Sequence, residues 1–198
     1  MITMNMFLDS VPSSLLIGGT EYKIHTDYRV WIKYQLLLFD FEGEAEDLFK
    51  KILELVFVDK KPPRKDYEEA TEKIMWFYRC GKTLPKGMGK HREIFSYEHD
   101  DGYIAAAFRQ QYQIDLDAVN LHWWKFYAYF LSMQDNTEIV KIMGYRSVEI
   151  NSKMPATQRN FYERMKKHYK LPLKKSVEEH CTRIEDALLN GESVADLL

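Results

Sequence analysis

Residues 117–133 constrain the fold more than any other part of the chain, because they form a helical pattern that is apolar around most of its circumference. At about 100° per residue, two apolar faces emerge, formed by Trp123, Phe126 and Phe130 and by Leu121, Trp124 and Ala128. A helix of this kind is buried on several sides. It is therefore either the core of its own domain or a surface that awaits a partner.

Apolar residues recur with helical spacing along most of the rest of the sequence, and glycine and proline are few. The predicted helices span about 27–39, 44–57, 65–80, 100–112, 117–133, 137–143, 156–169 and 176–189. Gly144 is expected to end the sixth as a C-cap. Near the N-terminus, two short β-prone runs flank Gly18-Gly19 and predict a hairpin. The fold class is mostly α, a bundle of about six to eight helices with a small N-terminal β-hairpin.

One loop divides the predicted elements into two groups. Residues 81–96 contain glycines, a proline and lysines, which are typical of a loop and of a boundary. Residues 1–80 hold the hairpin and the first helices, and residues 97–198 form an aromatic-rich helical region. We expect the two regions to pack as one compact unit.

Charge and composition favour a soluble intracellular protein. The formal net charge is −2, which gives no strong field for nucleic acid or an anionic membrane. No apolar run approaches the roughly 20 residues that span a bilayer, and the first residues do not resemble a signal peptide. Cys80 and Cys181 are far apart and fit no metal or redox motif. The expected compartment is the cytosol, with both thiols reduced.

No arrangement of reactive residues indicates an enzyme. Cys181 follows His180, but neighbouring residues on a helix point about 100° apart and cannot form a nucleophile–base pair. A divalent ion could be held by His91, His99, Asp100 and Asp101, yet their spacing matches no metal motif. Asp100 and Asp101 are better explained as helix-capping residues. We therefore predict no catalytic residue, no metal and no cofactor.

A basic stretch between residues 153 and 175 leaves three interpretations open. Eight cations face one acid, Glu163, and Phe161, Tyr162 and Tyr169 are interleaved with them. The densest part is the basic patch of Arg164, Lys166, Lys167 and Lys170. It can be a solvated face, it can bind nucleic acid phosphates, or it can meet an acidic surface such as residues 42–54 of its own or another copy. The acidic overall balance argues against nucleic acid.

The large aromatic side chains of the second half are the candidate partner-binding residues. They are Trp123, Trp124, Phe126, Phe130, Tyr112 and Phe108. Aromatic residues dominate many protein interfaces. Tryptophan is also highly buried on average, so a purely structural role in the core is at least as good an explanation.

These same residues carry a resemblance to a known family, the bacteriophage gene-product-fifteen family of siphophages and prophages of Gram-positive bacteria. The matching runs are Tyr97-Glu98-His99-Asp100, Ala106-Ala107-Phe108-Arg109-Gln110-Gln111-Tyr112, Leu121-His122-Trp123-Trp124-Lys125-Phe126 and Ile142-Met143-Gly144-Tyr145-Arg146. The resemblance is strongest over about residues 94–150 and includes the hairpin followed by Thr26-Asp27-Tyr28-Arg29. Where the family pattern has a glycine after Tyr112, this chain has Gln113.

The resemblance implies a non-enzymatic tail assembly chaperone in the host bacterial cytoplasm. Such a protein would coat the long tape measure protein before tail tube subunits polymerise around it. The implied partners are the tape measure protein, the tail tube protein, a second tail chaperone and further copies of the chain itself. A structural tail completion or connector protein of the virion is the alternative, and a small phage DNA-binding regulator that uses the basic patch is the third.

Overall fold

The computed structural model describes residues 8–82 and 94–172, and within them the chain is mostly α with a small β-hairpin, as the sequence predicts. Two strands, seven α-helices and a short 3-10 turn at Arg64–Asp66 follow one another. The strands are β1 (Ser14–Ile17) and β2 (Thr20–Lys23). The helices are α1 (Tyr28–Asp40), α2 (Ala45–Val56), α3 (Tyr67–Tyr78), α4 (Asp101–Tyr112), α5 (Trp123–Leu131), α6 (Glu138–Ser147) and α7 (Ala156–His168).

The hairpin is a two-stranded antiparallel sheet that packs on α3. Gly18 and Gly19 both have positive φ, which a two-residue hairpin turn of the primed type requires. Leu15 and Ile17 point into the core, whereas Leu16 between them is exposed. The Gly18 amide donates to a carboxylate oxygen of Glu69 on α3 at 2.9 Å. A lone hairpin is unstable in water, and burial of its inner face on α3 supplies the missing stabilisation.

Stacked aromatic rings form the centre of the core, where α1, α4 and α5 meet. Phe126 lies between Tyr28 and Phe108, with ring centroids 4.6 and 4.9 Å away and nearly parallel planes. Phe108 and Phe126 are fully buried. Such pairs contribute about 0.5–1.5 kcal/mol each beyond the burial of their area. The sequence of α5 is apolar on two faces because this helix is packed on both.

Two adjacent tryptophans join the start of α5 to the end of α3. The indole N–H of Trp123 donates to the Tyr78 carbonyl, and that of Trp124 donates to the Phe77 carbonyl, both at 2.8 Å. The last carbonyls of a helix lack partners within it. Gly81 follows with a φ of +72°, and a Cβ there would lie 3.1 Å from the Trp124 ring. Glycine therefore lets the chain leave α3 against this indole.

The boundaries of two helices differ by more than two residues from the sequence-based prediction. α5 begins at Trp123 and not at residue 117, because His122 is extended and bridges Asp27, while the Trp123 amide donates to the Thr26 carbonyl at 2.7 Å. α6 continues to Ser147, so the prediction that Gly144 caps this helix is wrong. Gly144 lies inside α6, and its carbonyl accepts a hydrogen bond from the Val148 amide.

The chain divides into two compact units, residues 1–149 and 150–198. The predicted boundary loop, residues 81–96, falls inside the first unit, and most of it lies outside the described residues. The core cluster runs from Leu15 to Ile139, entirely within the first unit. In the second unit the structure describes α7, and the predicted helix at 176–189 lies outside the described residues. Within the described residues no helix has the length and apolarity needed to cross a membrane.

Candidate partner-binding surface

Five of the six aromatic side chains predicted to bind a partner lie in the core of the first unit. The exposed fraction is 5% or less for Trp123, Trp124, Phe126, Phe130 and Phe108. Their neighbours are other rings of the same unit: Phe126 contacts Tyr28, Phe108, Trp123 and Phe130, and Trp124 contacts Trp76 and Phe77. In this conformation these five residues stabilise the fold and present no surface to another molecule.

Tyr112, the sixth of these residues, is half-buried at the edge of the core. Its hydroxyl donates to the Tyr129 carbonyl at 2.8 Å, and the two rings lie 4.8 Å apart. Desolvation is the largest cause of the raised pKa of the Tyr112 hydroxyl. Tyr112 therefore holds the end of α4 against α5, with part of its ring at the surface.

An open apolar depression lies where α1 meets α2, and we name it the α1–α2 groove. Its volume is about 490 Å³, and it is lined by Lys33, Leu36, Leu37, Asp40, Phe41, Glu42 and Lys51. Leu36, Leu37 and Phe41 supply the apolar surface, and charges of both signs surround it. Leu38 and Phe39 at the same end of α1 are 36% and 54% exposed. This end of the helical pair therefore carries apolar surface that the core does not cover.

A glycine fixes the turn beside this groove. Gly43 has a φ of +154°, and a Cβ there would lie 2.8 Å from the Phe41 ring. Lys51 from α2 places its ammonium 4.6 Å from the centre of that ring, a cation–π contact. The Phe41 ring is thus held between the turn and α2, and the groove keeps a defined wall.

A second, narrower cavity lies between α1 and α4, and we name it the α1–α4 cleft. Its volume is about 260 Å³. The residues that line it are Tyr28, Ile32, Tyr97, Asp101, Gly102, Ile104, Ala105, Leu116, Asp117 and Phe126. Buried rings and aliphatic side chains form its walls, and two exposed aspartates stand among the lining residues.

The predicted basic patch lies on α7 and just beyond its end. Arg164, Lys167 and Lys170 are exposed, and Lys166 is partly buried. Lys166 and Lys167 fall in the last turn, where cations complement the helix dipole. No side chain of α7 is buried, and the aromatic ring of Phe161 is 38% exposed. The patch is therefore an accessible basic surface of the second unit.

The acidic segment 42–54 is partly neutralised by its own neighbours. Lys50 pairs with Glu46 and Asp47 at 3.6 and 3.2 Å. Cations that follow the segment also pair with it: Lys61 lies 3.4 Å from Glu54, and Arg64 lies 3.5 Å from Glu46, which Lys50 also contacts. These exposed pairs are worth little individually, but they reduce the charge that the segment offers to a basic partner.

The residues weighed as metal ligands are not brought together. In the described parts of the chain no group of three or more His, Cys, Asp or Glu side chains is placed to hold a metal ion. Asp100 is buried, and its two oxygens accept from the Arg146 guanidinium at 2.6 and 3.0 Å. His99 and Asp101 are exposed, and His91 lies outside the described residues.

Asp100 occupies the N-cap position of α4, as the sequence suggested, but its side chain makes no capping hydrogen bond and forms half of a buried ion pair. The same carboxylate also accepts the Ser96 amide at 2.8 Å. Arg146 completes the arrangement by donating to the Ile94 carbonyl at 3.1 Å. A buried charge pair with all its hydrogen bonds made specifies one relative position of α4 and α6. Sequence reasoning missed the pair because its members are 46 positions apart.

Cys80, the cysteine within the described residues, has an unreactive thiol. Burial raises the pKa of the Cys80 thiol to about 12, so the thiol stays protonated at neutral pH. Cys80 lies two residues after the end of α3, in a left-handed backbone conformation with φ at +54°. Cys181 and His180 lie outside the described residues.

His122 has a structural role that the sequence did not indicate. Its Nδ1 accepts from the Trp124 amide at 3.1 Å, so the imidazole caps the start of α5. Its Nε2 lies 3.0 Å from the Pro12 carbonyl and donates to it. The two contacts fix the neutral tautomer protonated on Nε2. Desolvation is the largest cause of the lowered pKa of His122.

The α1–α2 groove was also missed, although the sequence contains a signal for it. Residues 36–39 are four consecutive apolar residues, Leu-Leu-Leu-Phe. One face of an amphipathic helix cannot accommodate four consecutive positions. Such a run therefore indicates that a helix has apolar surface outside its core-facing stripe.

A family model described as "Bacteriophage Gp15 protein" matches residues 7–171, which is most of the chain. No curated protein and no solved structure matches.

Proposed function

Since the chain belongs to the Bacteriophage Gp15 protein family, we propose that it is a non-enzymatic tail assembly chaperone. It binds the tape measure protein, and tail tube subunits as they arrive, in the cytoplasm of the host bacterium. A tape measure protein is long and helical, and its apolar stripes need cover until the tube encloses it. The chaperone supplies that cover without making or breaking a bond.

The α1–α2 groove is the observation that carries this proposal. Helix-in-groove recognition uses apolar anchors spaced one helical turn apart on the partner. Leu36, Leu37 and Phe41 provide the apolar floor for such anchors, and Lys33, Asp40, Glu42 and Lys51 provide a polar rim. An apolar centre with a polar rim is the usual anatomy of a protein interface.

The occupant to which we commit is an amphipathic helix of the tape measure protein. The groove is open enough to receive one face of a helix, and its rim carries both signs of charge. Each contact is small, and one groove alone gives modest affinity. Many copies along a single tape measure gain strength by multivalency.

Co-expression tests the proposal. The full chain is produced with a tape measure protein from the same phage genome, and solubility and affinity capture of the tape measure are measured. We expect the wild type to keep the tape measure soluble and to capture it. Leu36→Glu places a charge on the groove floor and should weaken capture about tenfold or more, as loss of an interface anchor does.

The matched control is Leu16→Glu, which alters an exposed leucine on the outer face of β1. It should capture the tape measure as the wild type does. Thermal unfolding of both variants shows that they fold. A tape measure that stays insoluble and unbound with the wild-type chain would end the chaperone proposal.

Two alternatives are separated by further measurements. Mass spectrometry of purified virions should find the chaperone absent from mature particles, whereas a completion or connector protein would be present. A DNA-binding regulator would bind DNA with a steep salt dependence. That binding would fall when Lys166 and Lys167 of the accessible basic patch are changed to alanine.

A further inference from the structure

The α1–α4 cleft is large enough to admit one long side chain. At about 260 Å³ it is smaller than the roughly 300–1,000 Å³ of pockets that enclose drug-sized molecules. Ile32, Ala105 and Leu116 give it aliphatic walls, and the buried rings of Tyr28, Tyr97 and Phe126 border it. It therefore suits a long, largely apolar stem that enters from solvent.

The charges that line the cleft are both negative. Asp101 and Asp117 are exposed, and no lysine or arginine stands among the lining residues. Arg29, which lies 4.7 Å from the centre of the Tyr28 ring, is already paired with Asp27 at 3.1 Å. An apolar passage with carboxylates beside it matches side chains that have an aliphatic stem and a cationic head.

Gly102 is one of the residues that line this cleft, and nothing in the described part of the fold requires glycine there. It lies in the first turn of α4, its φ is not positive, and a Cβ built there would meet nothing within 4 Å. Alanine is the better helix residue at such a position. The missing side chain thus leaves free space beside the lining aspartates, and Ala105 continues the small surface one turn later.

We propose that the α1–α4 cleft receives one lysine or arginine side chain that projects from a helix of the partner protein. The identity of that partner rests on the proposed function, whereas the chemistry of the cleft does not. Asp101 belongs to the first turn of α4, where the positive end of the helix dipole offsets part of its charge. Asp117 lies outside the helices and contributes the larger share of the attraction.

Binding of small probes to the full chain tests the chemistry directly. Arginine amide and norleucine amide are titrated separately while amide resonances are followed by NMR. Arginine amide should shift the resonances of Gly102, Ala105 and Asp117 with saturation in the millimolar range, and added salt should weaken it. Norleucine amide should bind at least several-fold more weakly.

Charge variants locate the interaction. Asp117→Asn should weaken the binding of arginine amide more than Asp101→Asn does, and Asp135→Asn, on a remote loop, should leave it unchanged. Equal binding of both amides, shifts confined to other residues, or no saturable shift at all would overturn the proposal.

Capture of the tape measure protein tests the cleft in its proposed setting. Gly102→Leu fills the open space and should weaken capture several-fold, whereas Gly102→Ala should capture as the wild type does. If the wild type captures the tape measure and Gly102→Leu captures it equally well, the cleft proposal fails and the proposed function stands. If the wild type captures nothing, the proposed function fails, and the amide titrations alone decide the cleft.

Discussion

At the scale of single residues, His122 links the start of α5 to the segment before the hairpin. Its neutral imidazole accepts from the Trp124 amide and donates to the Pro12 carbonyl. A protonated imidazole has no acceptor for the Trp124 amide. The cap therefore exists only in the neutral form, in agreement with the lowered pKa of His122 in the folded protein.

Stability should consequently fall as the solution becomes acidic. The unfolded chain takes up the proton near the ordinary pKa of 6.5, while the folded chain resists it. The contribution of His122 is complete above that value and is lost as pH falls through the lower pKa of the folded state. Urea unfolding between about pH 7.5 and about pH 5 should show a decline that is smaller in His122→Asn. Asparagine caps without titrating.

The exposed His99 provides the control for this experiment. His99→Asn should decline with acidity as the wild type does, because His99 makes no cap. An unchanged pH dependence in His122→Asn would show that the imidazole of His122 does not control the acid response.

The backbone of Gln113 is strained, and the contacts of its side chain do not require that conformation. It follows α4 with φ at +57°, and its exposed side chain makes one weak bond, from Nε2 to the Gln110 carbonyl at 3.3 Å. Left-handed backbone costs a residue other than glycine roughly 1–2 kcal/mol. Glycine is the residue that adopts this conformation without strain, which agrees with the glycine that the resemblance leads one to expect at this position.

Replacing this residue by glycine should therefore stabilise the protein. We expect Gln113→Gly to raise the free energy of unfolding by about 0.5–1 kcal/mol, the net of relieved strain and the extra entropy of unfolded glycine. Chemical denaturation measures the change. Gln113→Ala keeps the strain and should gain nothing, so equal stabilisation by alanine would point to a cause other than φ.

At the scale of elements, the Asp100–Arg146 pair joins the start of α4 to the last turn of α6. Both side chains are buried, at 2% and 8% exposure. The planar guanidinium fits the carboxylate with two parallel bonds, which an ammonium cannot reproduce. The relative position of α4 and α6 thus depends on one charged contact as well as on apolar packing.

Replacing one member of this pair should destabilise the protein far more than replacing both members. Arg146→Met should lower the free energy of unfolding by about 3–5 kcal/mol, because it leaves a buried carboxylate without its partner. Adding Asp100→Leu should recover part of the loss. The recovery is incomplete because the Ser96 amide and the Ile94 carbonyl also lose their hydrogen bonds. A double variant no more stable than Arg146→Met in thermal unfolding would contradict this account.

Local periodicity predicted the positions of most helices well, but it did not predict how the helices pair with distant parts of the chain. The observed α1 and α4 each begin one residue after the predicted start. The start of α5 was misplaced because residues 117–122 continue the apolar pattern, while backbone pairing with Thr26 and Asp27 keeps His122 extended. Helix patterns are local, whereas this pairing joins positions almost a hundred residues apart in sequence.

The candidate surfaces were not identified from the sequence for a related reason. Periodicity indicates that rings such as Trp123 and Phe126 are apolar, but a core and an interface demand the same side chains. Only the packing shows that both are enclosed. Conversely, the α1–α2 groove and the α1–α4 cleft arise between elements, and apart from the Leu-Leu-Leu-Phe run at residues 36–39 no pattern within a single helix indicated them.

At the scale of the whole molecule, the division at residues 149 and 150 separates two units of different character. The first contains the complete core cluster. The described helix of the second, α7, contributes no buried side chain. Within the described residues, the cooperative folding core therefore lies in the first unit.

A chain that ends at Glu149 should fold. We expect it to unfold cooperatively and to keep the near-ultraviolet circular dichroism of its packed aromatic rings. A chain that ends at Gln134 loses α6 with the buried Ile139 and Ile142, as well as Arg146, and should lack both properties. Loss of cooperative unfolding on removal of residues 150–198 alone would show that the core extends beyond the first unit.

The indoles that bind the last carbonyls of α3 have an optical consequence. Trp31, Trp123 and Trp124 are enclosed by protein, and the fourth tryptophan, Trp76, is partly buried against the Trp124 ring. The emission of the three enclosed indoles should be blue-shifted and should move to longer wavelength only when the core opens. None of the four tryptophans lines the α1–α2 groove. Tryptophan emission should therefore stay constant while a tryptophan-free helix binds there, and any red shift during such a titration would report unfolding.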